Sequence, residues 1–154
     1  MKNITSIFFL AMASISLLIS AQAEAEPGRA APEITVYKEK TCGCCNGWID
    51  HLRASGFKVI AKDQTNMQGI KRNFGVSRNL QSCHTAVVNG YVVEGHVPAA
   101  DIKRLLREKP DVLGLTAPGM PQRSPGMQPN YLPPRDYDVL SFDERGKVEL
   151  YHRY

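Results

Sequence analysis

The cysteines of this 154-residue chain are concentrated at one point. Three of the four lie in the run Cys42-Gly43-Cys44-Cys45, and the fourth, Cys83, is followed directly by His84. A disulfide framework spreads its cysteines along the chain to join distant loops, so this concentration is not typical of one. Thiolates gathered at one point are typical of a soft-metal site, a redox site or both.

Two of these cysteines have the spacing of a redox pair. Cys42 and Cys45 form C-x-x-C, and at the start of a helix the helix dipole and free backbone N–H groups stabilise a thiolate on the first thiol. Lys38 and Lys40 add positive charge nearby. The pair alone predicts thiol–disulfide exchange. Cys44 adds a third thiol that would invite scrambling with either neighbour, whereas a metal site gains from it.

The donor set favours copper over zinc. Structural zinc takes four ligands in a tetrahedron, usually from two spaced pairs. Cys42 and Cys45 would form one pair, but adjacent Cys83 and His84 have poor geometry for the second. Such a zinc site would also leave Cys44 unused. Cu(I) accepts two or three thiolates, and one sulfur can bridge several ions. Where Cys42, Cys44, Cys45 and Cys83 converge, their four thiolates would hold a multinuclear Cu(I) site, with His84 as the next ligand. Zinc is the alternative metal.

Other side chains are candidates for secondary metal contacts. Met120 and Met127 each follow a glycine, and thioether sulfur is a Cu(I) ligand; the alternative is that they anchor an irregular loop. His96 is a third candidate, or else caps the helix that follows it. We expect His51 on the surface and Trp48 packed beside the cysteines.

The elements that position these residues follow from local patterns. Residues 33–38 alternate and are β-branched, which predicts a strand, and the apolar spacing at Trp48, Ile49 and Leu52 predicts a helix. The cysteines therefore lie at a strand-to-helix turn. Next we expect a strand over 57–61, a helix from Asn66 to Gly75, an irregular connector over 76–82, a hairpin with strands 85–88 and 91–93 around Asn89-Gly90, and a helix between Pro98 and Pro110.

The C-terminal part has a different character. Residues 115–134 are rich in proline and glycine and are too broken for a helix or a central strand. Residues 137–142 and 147–152 flank a turn and predict a terminal hairpin. The methionine-containing loop is thus held at both ends, as a lid over a site would be.

The N-terminus predicts export. Residues 1–23 combine a basic Lys2, an apolar stretch from Ile4 to Ile19 and the small-x-small pattern Ala21-Gln22-Ala23 of a cleavable signal peptide. The apolar stretch is short for a span, so we expect no stable membrane insertion. Residues 24–32 are predicted to form a flexible leader. Export by a signal peptide indicates that the protein works in an oxidising compartment such as a periplasm.

Charge excludes one class of partner. The formal net charge is +4 and the basic residues are scattered. The pairs Lys71-Arg72 and Lys103-Arg104 are expected on solvated helix faces. No basic stripe is interleaved with aromatic residues, so nucleic acid is not an expected partner.

The predicted order β-α-β-α-β-β-α, with cysteines after the first strand, resembles the thioredoxin-like fold. We therefore expect an α/β protein with a thioredoxin-like domain over 33–110 and a C-terminal extension over 111–154 packed on the same domain. The resemblance implies that His84 occupies the position that usually holds a cis-proline. It also implies that Cys83 and His84 lie against the cysteine turn.

The whole pattern resembles the CopG-type copper-resistance proteins, which are small exported thioredoxin-like proteins. The matching segments cover nearly the whole mature chain: Thr41–Cys45, Trp48, Ser82–Thr85, Asn89-Gly90, Glu94–Pro98, Gly114-Leu115, Pro118–Pro121, Ser124–Met127 and Tyr137–Val139.

This resemblance implies a role in periplasmic copper resistance through a cysteine-bridged copper cluster. Copper redox chemistry, as in a copper-dependent oxidoreductase, would be a further activity, and other periplasmic copper-handling proteins would be candidate partners. The alternative is a thiol–disulfide oxidoreductase that uses Cys42 and Cys45. The absence of proline at position 84 argues against it.

Overall fold

A seven-stranded mixed β-sheet organises the part of the chain that the computed structural model describes, residues 31–154. The strands are β1 (Glu33–Lys38), β2 (Lys58–Asp63), β3 (Thr85–Val88), β4 (Tyr91–Gly95), β5 (Gly114–Ala117), β6 (Asp138–Phe142) and β7 (Val148–Arg153). The helices are α1 (Gly43–Ala54), α2 (Met67–Asn73) and α3 (Ala99–Glu108), with a short 3₁₀ helix at Arg78–Leu80. The predicted signal peptide and most of the leader lie outside the described residues.

The strand order places β2 at one edge of the sheet and the last strand, β7, at the other. The order is β2-β1-β3-β4-β5-β6-β7. β1 pairs with β2 and β4 with β5 in parallel, and every other neighbouring pair is antiparallel. The mixed α/β class predicted from the sequence is confirmed, and β5, β6 and β7 continue the same sheet as the N-terminal strands.

The helices form where the apolar periodicity predicted them. In α1 the buried residues Cys45, Trp48, Ile49 and Leu52 share one face. The side chain of Asn66 caps α2 by accepting a hydrogen bond of 2.9 Å from the N–H of Gly69. α3 begins directly after Pro98, as predicted.

One part of the C-terminal prediction is wrong. Residues 115–117 were expected to be too broken for a central strand, but they belong to β5, which lies between β4 and β6 with all four of its residues buried. A strand buried on both faces shows no alternation of polar and apolar residues, and four residues give too little signal. The predicted terminal hairpin is confirmed as β6 and β7.

The core joins the sheet to α1 and α3. Its fully buried members include Ile34 and Val36 of β1, Trp48 and Leu52 of α1, and Ile102 of α3. Burial of each such side chain contributes about 1.5–3 kcal/mol to the stability of the folded state. This packing holds α1 against β1, and it therefore also fixes the position of the turn between them. Within residues 31–154, no helix is long and apolar enough to cross a membrane.

Candidate metal centre

The cysteine turn connects β1 to α1. The N–H of Cys42 donates to the carbonyl oxygen of Glu39 at 3.1 Å, which closes the turn directly before the helix begins at Gly43. Cys42 is the N-cap residue, and Cys44 and Cys45 lie in the first helical turn. Cys45 is fully buried, whereas Cys42 and Cys44 are half-buried.

The C-x-x-C pair is oxidised in this structure. Cys42 and Cys45 form a disulfide, with their Cα atoms 5.3 Å apart. Cys44 and Cys83 are free thiols and half-buried. The site therefore contains a disulfide and two thiols within a few ångströms of each other.

Cys83 lies beside the cysteine turn although it is distant in sequence. Its Sγ is 3.5 Å from Sγ of Cys45 and 3.8 Å from Sγ of Cys44. Sγ of Cys44 is in turn 3.6 Å from Sγ of Cys42. All four sulfur atoms lie within 4.8 Å of one another, which is close enough for one metal ion, or several bridged ions, to bind them.

Two histidines extend this group on the far side of Cys83. The Cys83 Sγ is 3.3 Å from Nδ1 of His84 and 3.1 Å from Nε2 of His96. Nδ1 of His96 is 2.8 Å from the carbonyl oxygen of Pro125. A carbonyl only accepts, so Nδ1 carries the proton and the lone pair of Nε2 faces Cys83. The structure thus brings His96, expected only as a secondary contact, as close to Cys83 as His84.

The buried side of the site disfavours charge. Burial lowers the pKa of His84 well below its ordinary value, and the neighbouring His96 and Lys71 lower it further. Burial also lowers the pKa of His96. Burial raises the pKa of Cys83 to about 12, and Cys44 adds to this effect. The imidazoles are therefore in the neutral, metal-binding form, and a metal ion would displace the thiol proton of Cys83.

His84 has an unused ring nitrogen. Its side chain is fully buried, and within residues 31–154 its Nε2 has no hydrogen-bond partner. A buried polar atom without a partner costs about 1–3 kcal/mol. A donor set of thiols and neutral imidazoles, one with an unpaired nitrogen, fits a soft or borderline metal ion.

Comparison with known proteins gives the family. A family described as protein of unknown function, DUF411, matches residues 80–127. A solved structure titled copper resistance protein CopG, form 2, is 42% identical, with 80% of this chain and 98% of that chain covered and a TM-score of 0.74. The chain belongs to the CopG copper-resistance family.

A second solved structure, titled copper resistance protein CopG, form 1, is 43% identical, with 79% of this chain and 96% of that chain covered and a TM-score of 0.73. No curated protein matches. Membership of the CopG family, together with a cysteine group able to bind a metal, supports a copper-related role for this chain.

A buried ion pair supports the loop that carries Cys83. One carboxylate oxygen of Glu94 accepts hydrogen bonds from Nζ of Lys71 and from the N–H of Ser82, both at 2.6 Å. Its other oxygen accepts from Oγ1 of Thr85 at 2.6 Å. Glu94 therefore holds the residues on both sides of Cys83-His84.

This network was not expected, and one prediction that bears on it is wrong. Lys71 was predicted on a solvated helix face, but its exposed fraction is 2%. It lies four residues after Met67 and three before Phe74, which places it on the face of α2 that packs inward. That spacing is the signal that could have revealed it, although lysine at such a position is rarely buried.

Aromatic and imidazole rings enclose the site from α1. Trp48 is fully buried, as expected; its Nε1 donates to the carbonyl oxygen of Val97 at 2.8 Å, and its ring lies 4.3 Å from the ring of His84. His51 was expected on the surface but is half-buried, and its Nε2 accepts a hydrogen bond of 3.1 Å from the N–H of Ala99. The capping contact suggested for His96 is made by His51 instead.

The methionine loop is attached to both halves of the site. The N–H of Gly119 donates to the carbonyl oxygen of Gln81 at 2.9 Å, and Oγ of Ser82 donates to the carbonyl oxygen of Gly119. Further along, Pro125 accepts from His96. Met120 is 56% exposed and Met127 is half-buried. Both methionines are therefore next to backbone that contacts the site.

Proposed function

We propose that this chain is an exported, periplasmic copper-binding protein of copper resistance that holds Cu(I) on a multinuclear thiolate site. The observation that carries the proposal is the convergence of four sulfur atoms within 4.8 Å, from two segments that are distant in sequence. Thiolate sulfur suits soft Cu(I) as well as zinc, and bridging sulfur lets a small site hold several Cu(I) ions. The copper-resistance title of the related structures supports the same metal.

The proposed ligands are Cys42, Cys44, Cys45, Cys83 and His84. Reduction of the Cys42–Cys45 disulfide must precede loading of the four-thiolate site, because a disulfide sulfur is not a thiolate. The nearer secondary ligand is His96, because its Nε2 faces Cys83. Met120 and Met127 are proposed as transient contacts for arriving or departing copper.

The proposal includes the organisation of the chain. Residues 1–23 act as a cleaved signal peptide, 24–32 as a leader, 33–110 as a thioredoxin-like domain and 111–154 as an extension packed on it. The thioredoxin-like assignment is supported by the order β1-α1-β2-α2-β3-β4-α3 and by the cysteine turn after β1. Copper ions, and other periplasmic proteins that exchange copper, are the proposed partners.

The test is metal loading of the reduced protein. The full chain is reduced and kept without oxygen, then loaded separately with Cu(I) and Zn²⁺. Bound metal per chain is measured together with the number of thiols protected from alkylation. We expect more than one Cu(I) per chain with all four thiols protected. A single zinc ion in preference to copper, or no bound metal, would overturn the proposal.

The Cys42–Cys45 disulfide favours a second candidate, thiol–disulfide exchange. Both sulfurs lie at the start of α1, where the helix dipole favours a thiolate. This function requires that the metal-free chain reduces a disulfide substrate such as insulin at a rate comparable with known exchange proteins. Activity that survives Cys83→Ser and needs no metal would favour this candidate over copper binding.

A further inference from the structure

A group of aromatic side chains surrounds one buried carboxylate of α3. Asp101 lies in the first turn of this helix and is 2% exposed. Its oxygens accept hydrogen bonds from Nδ1 of His152 at 2.7 Å and from the hydroxyl of Tyr154 at 2.9 Å. The half-buried side chains of Tyr137 and Tyr151 pack against the same core as Tyr154. The proposed copper site uses none of these residues, so their arrangement is unexplained by it.

Tyr137 and Tyr154 face each other at the open end of the β6–β7 hairpin. The N–H of Tyr154 donates to the carbonyl oxygen of Tyr137 at 3.0 Å, and the N–H of Asp136 donates to the carbonyl oxygen of Tyr154 at 2.8 Å. The two rings are stacked, with their centroids 5.2 Å apart and their planes inclined by 19°. Backbone hydrogen bonds thus hold the two phenols side by side as a cross-strand pair, and a reaction between them needs no diffusion.

The Asp101 carboxylate gives Tyr154 a proton acceptor. A phenol that loses one electron becomes strongly acidic, so its oxidation is easiest where a base takes the proton at the same time. The 2.9 Å between Oδ2 of Asp101 and the phenol oxygen is within the reach of a general base, roughly 2.6–3.2 Å. The other carboxylate oxygen is held by His152, whose side chain is 42% exposed. The base is therefore oriented, and it lies next to a group that reaches solvent.

The other buried phenols lack such an acceptor. Among the described residues, Oη of Tyr137 and Oη of Tyr151 are buried without a hydrogen-bond partner. Burial raises the pKa of Tyr137, and the charge of Asp101 raises it further. These phenols therefore stay protonated, and the geometry favours Tyr154 as the first of the cluster to be oxidised.

We propose that Tyr154 is a site of proton-coupled one-electron oxidation, and that the radical formed there joins Tyr137 in a carbon–carbon cross-link. Tyr154 gives its electron to a one-electron oxidant in solution, such as a radical derived from peroxide, and its phenolic proton to Asp101. A second equivalent of the oxidant takes one electron from Tyr137, whose proton is lost to solvent.

The two ring radicals then form one bond between their ortho carbons. Each ring becomes aromatic again as the hydrogen on its bonded carbon moves to the phenol oxygen. The chain loses two electrons and two protons in all, and the product joins the two ends of the β6–β7 hairpin covalently. The reaction uses no residue of the metal centre and does not depend on the proposed copper binding.

The test is photochemical oxidation of the metal-free full chain. Cys44 and Cys83 are first blocked with a small thiol reagent, because a free thiol would be oxidised before a phenol, and circular dichroism verifies that the blocked chain is folded. An illuminated ruthenium tris-bipyridyl complex with persulfate supplies the one-electron oxidant to the dilute protein. Dityrosine fluorescence measures the initial rate, and mass spectrometry of the digested chain locates the bond. We expect a Tyr137–Tyr154 link in the folded chain and its loss in urea.

Three variants separate the base from the rings. Asp101→Asn keeps the size of the side chain but removes its basicity. It should slow the link at least about tenfold, because a positioned base typically accelerates proton transfer by about a hundredfold or more. Tyr154→Phe should abolish the link. Tyr131→Phe is the matched control, because Tyr131 is 84% exposed and available to the oxidant, yet its loss should leave the Tyr137–Tyr154 link unchanged.

The outcomes against the proposal are equally specific. A predominant link to another tyrosine, a Tyr137–Tyr154 link that forms as fast in Asp101→Asn, or the same yield in urea would each overturn it. If Asp101→Asn does not fold, the rate of the unsubstituted chain in heavy water replaces that variant. Transfer of the proton together with the electron requires a slower reaction in heavy water, and equal rates would refute the role of Asp101 as the base.

Discussion

Sγ of Cys83 and Nε2 of His96 lie 3.1 Å apart, although 13 positions and the β3–β4 hairpin separate the two residues in the chain. The same sulfur lies 3.5 Å from Cys45 and 3.8 Å from Cys44. Among the described residues, Cys83 is therefore the one member common to the sulfur group and to the group with two histidines. A residue shared by both groups should affect copper binding in both redox states.

Replacement of Cys83 is the first test of this relationship. We expect Cys83→Ser to lower the copper bound by the reduced chain and to weaken Cu(I) binding by the oxidised chain at least about tenfold, because serine is a poor ligand for a soft ion. Cu(I) competition with a chelator, performed in both redox states, measures the effect. Cys44→Ser is the control. It should lower binding in the reduced state only, and an equal loss in both states would contradict the division into two groups.

The Lys71–Glu94 pair provides a second test. Glu94 is fully buried and accepts from Lys71, Ser82 and Thr85. We expect Glu94→Gln to lower the free energy of unfolding by about 3–5 kcal/mol, because it leaves the Lys71 ammonium buried without a counter-charge. Urea unfolding at one fixed redox state measures the loss.

A double variant separates charge burial from packing. Replacing both members of the pair, as Lys71→Met with Glu94→Gln, removes the uncompensated charge and should recover part of the lost stability. We also expect Glu94→Gln to weaken copper binding, because the carboxylate holds Ser82 and, through it, Cys83, and the double variant should not restore that binding. Full recovery of copper binding in the double variant would show that the Glu94 carboxylate does not position this loop.

Local patterns predicted most of the fold. The apolar spacing of Trp48, Ile49 and Leu52 identified α1, Asn66 identified the start of α2, and Asn89-Gly90 identified the turn between β3 and β4. These signals act over a few residues, so they depend little on the rest of the chain. The strand β5 was missed because only its position between β4 and β6 shows that it is a strand.

The site was predictable only in part. The cysteine turn could be located from β1 and α1, but the approach of Cys83 to it was expected from a resemblance to a fold and not from the spacing. The backbone carbonyl of Pro125 orients His96, and a carbonyl leaves no signal in the sequence. Burial of Lys71 contradicts the ordinary preference of lysine, and the ion pair with Glu94 is what compensates its charge.

The buried carboxylate of Asp101 is expected to hold the C-terminus on α3. Its two oxygens accept from Nδ1 of His152 at 2.7 Å and from the hydroxyl of Tyr154 at 2.9 Å. We expect Asp101→Ala to lower the free energy of unfolding by about 1–3 kcal/mol, because both donors lose their acceptor. Asp111→Ala, at an exposed position, is the control and should change stability by less than about 0.5 kcal/mol. Similar losses in urea unfolding of the two variants would contradict this role.

Two stacked tyrosines should limit stability at alkaline pH. The rings of Tyr137 and Tyr154 lie 5.2 Å apart, and burial raises the pKa of both phenols above the ordinary value. The folded state therefore disfavours tyrosinate. Their contribution to stability is complete below the unfolded pKa of about 10 and is lost as the pH rises above it.

Tyrosinate absorbance, followed together with near-ultraviolet circular dichroism, measures this loss. We expect part of the tyrosinate signal to appear only as tertiary structure is lost. Tyr154→Phe should reduce the amplitude of that late signal. Complete ionisation of the tyrosines while the circular dichroism is still native would contradict the expectation.

The approach of Gly126 to α1 gives the last test. Gly126 has φ of +85°, and a Cβ at this position would lie 2.5 Å from the backbone nitrogen of Trp48 and 2.6 Å from the carbonyl oxygen of Cys44. The backbone atoms of Trp48 and Cys44 belong to α1, and moving them to accommodate a Cβ would cost free energy. We therefore expect Gly126→Ala to displace the methionine loop from the first turn of α1 and to break the contact between Pro125 and His96.

The matched control for this substitution is Gly146→Ala. Gly146 has φ of +84°, but a Cβ at this position would meet no atom of residues 31–154 within 4 Å. Both variants carry the cost of a left-handed alanine, about 1–2 kcal/mol, so the difference between them isolates the steric contact with α1. Urea unfolding should show a larger loss for Gly126→Ala, and only that variant should release Cu(I) more readily. If the two variants lose stability equally and retain copper equally, the loop does not depend on its contact with α1, and His96 must be oriented by other groups.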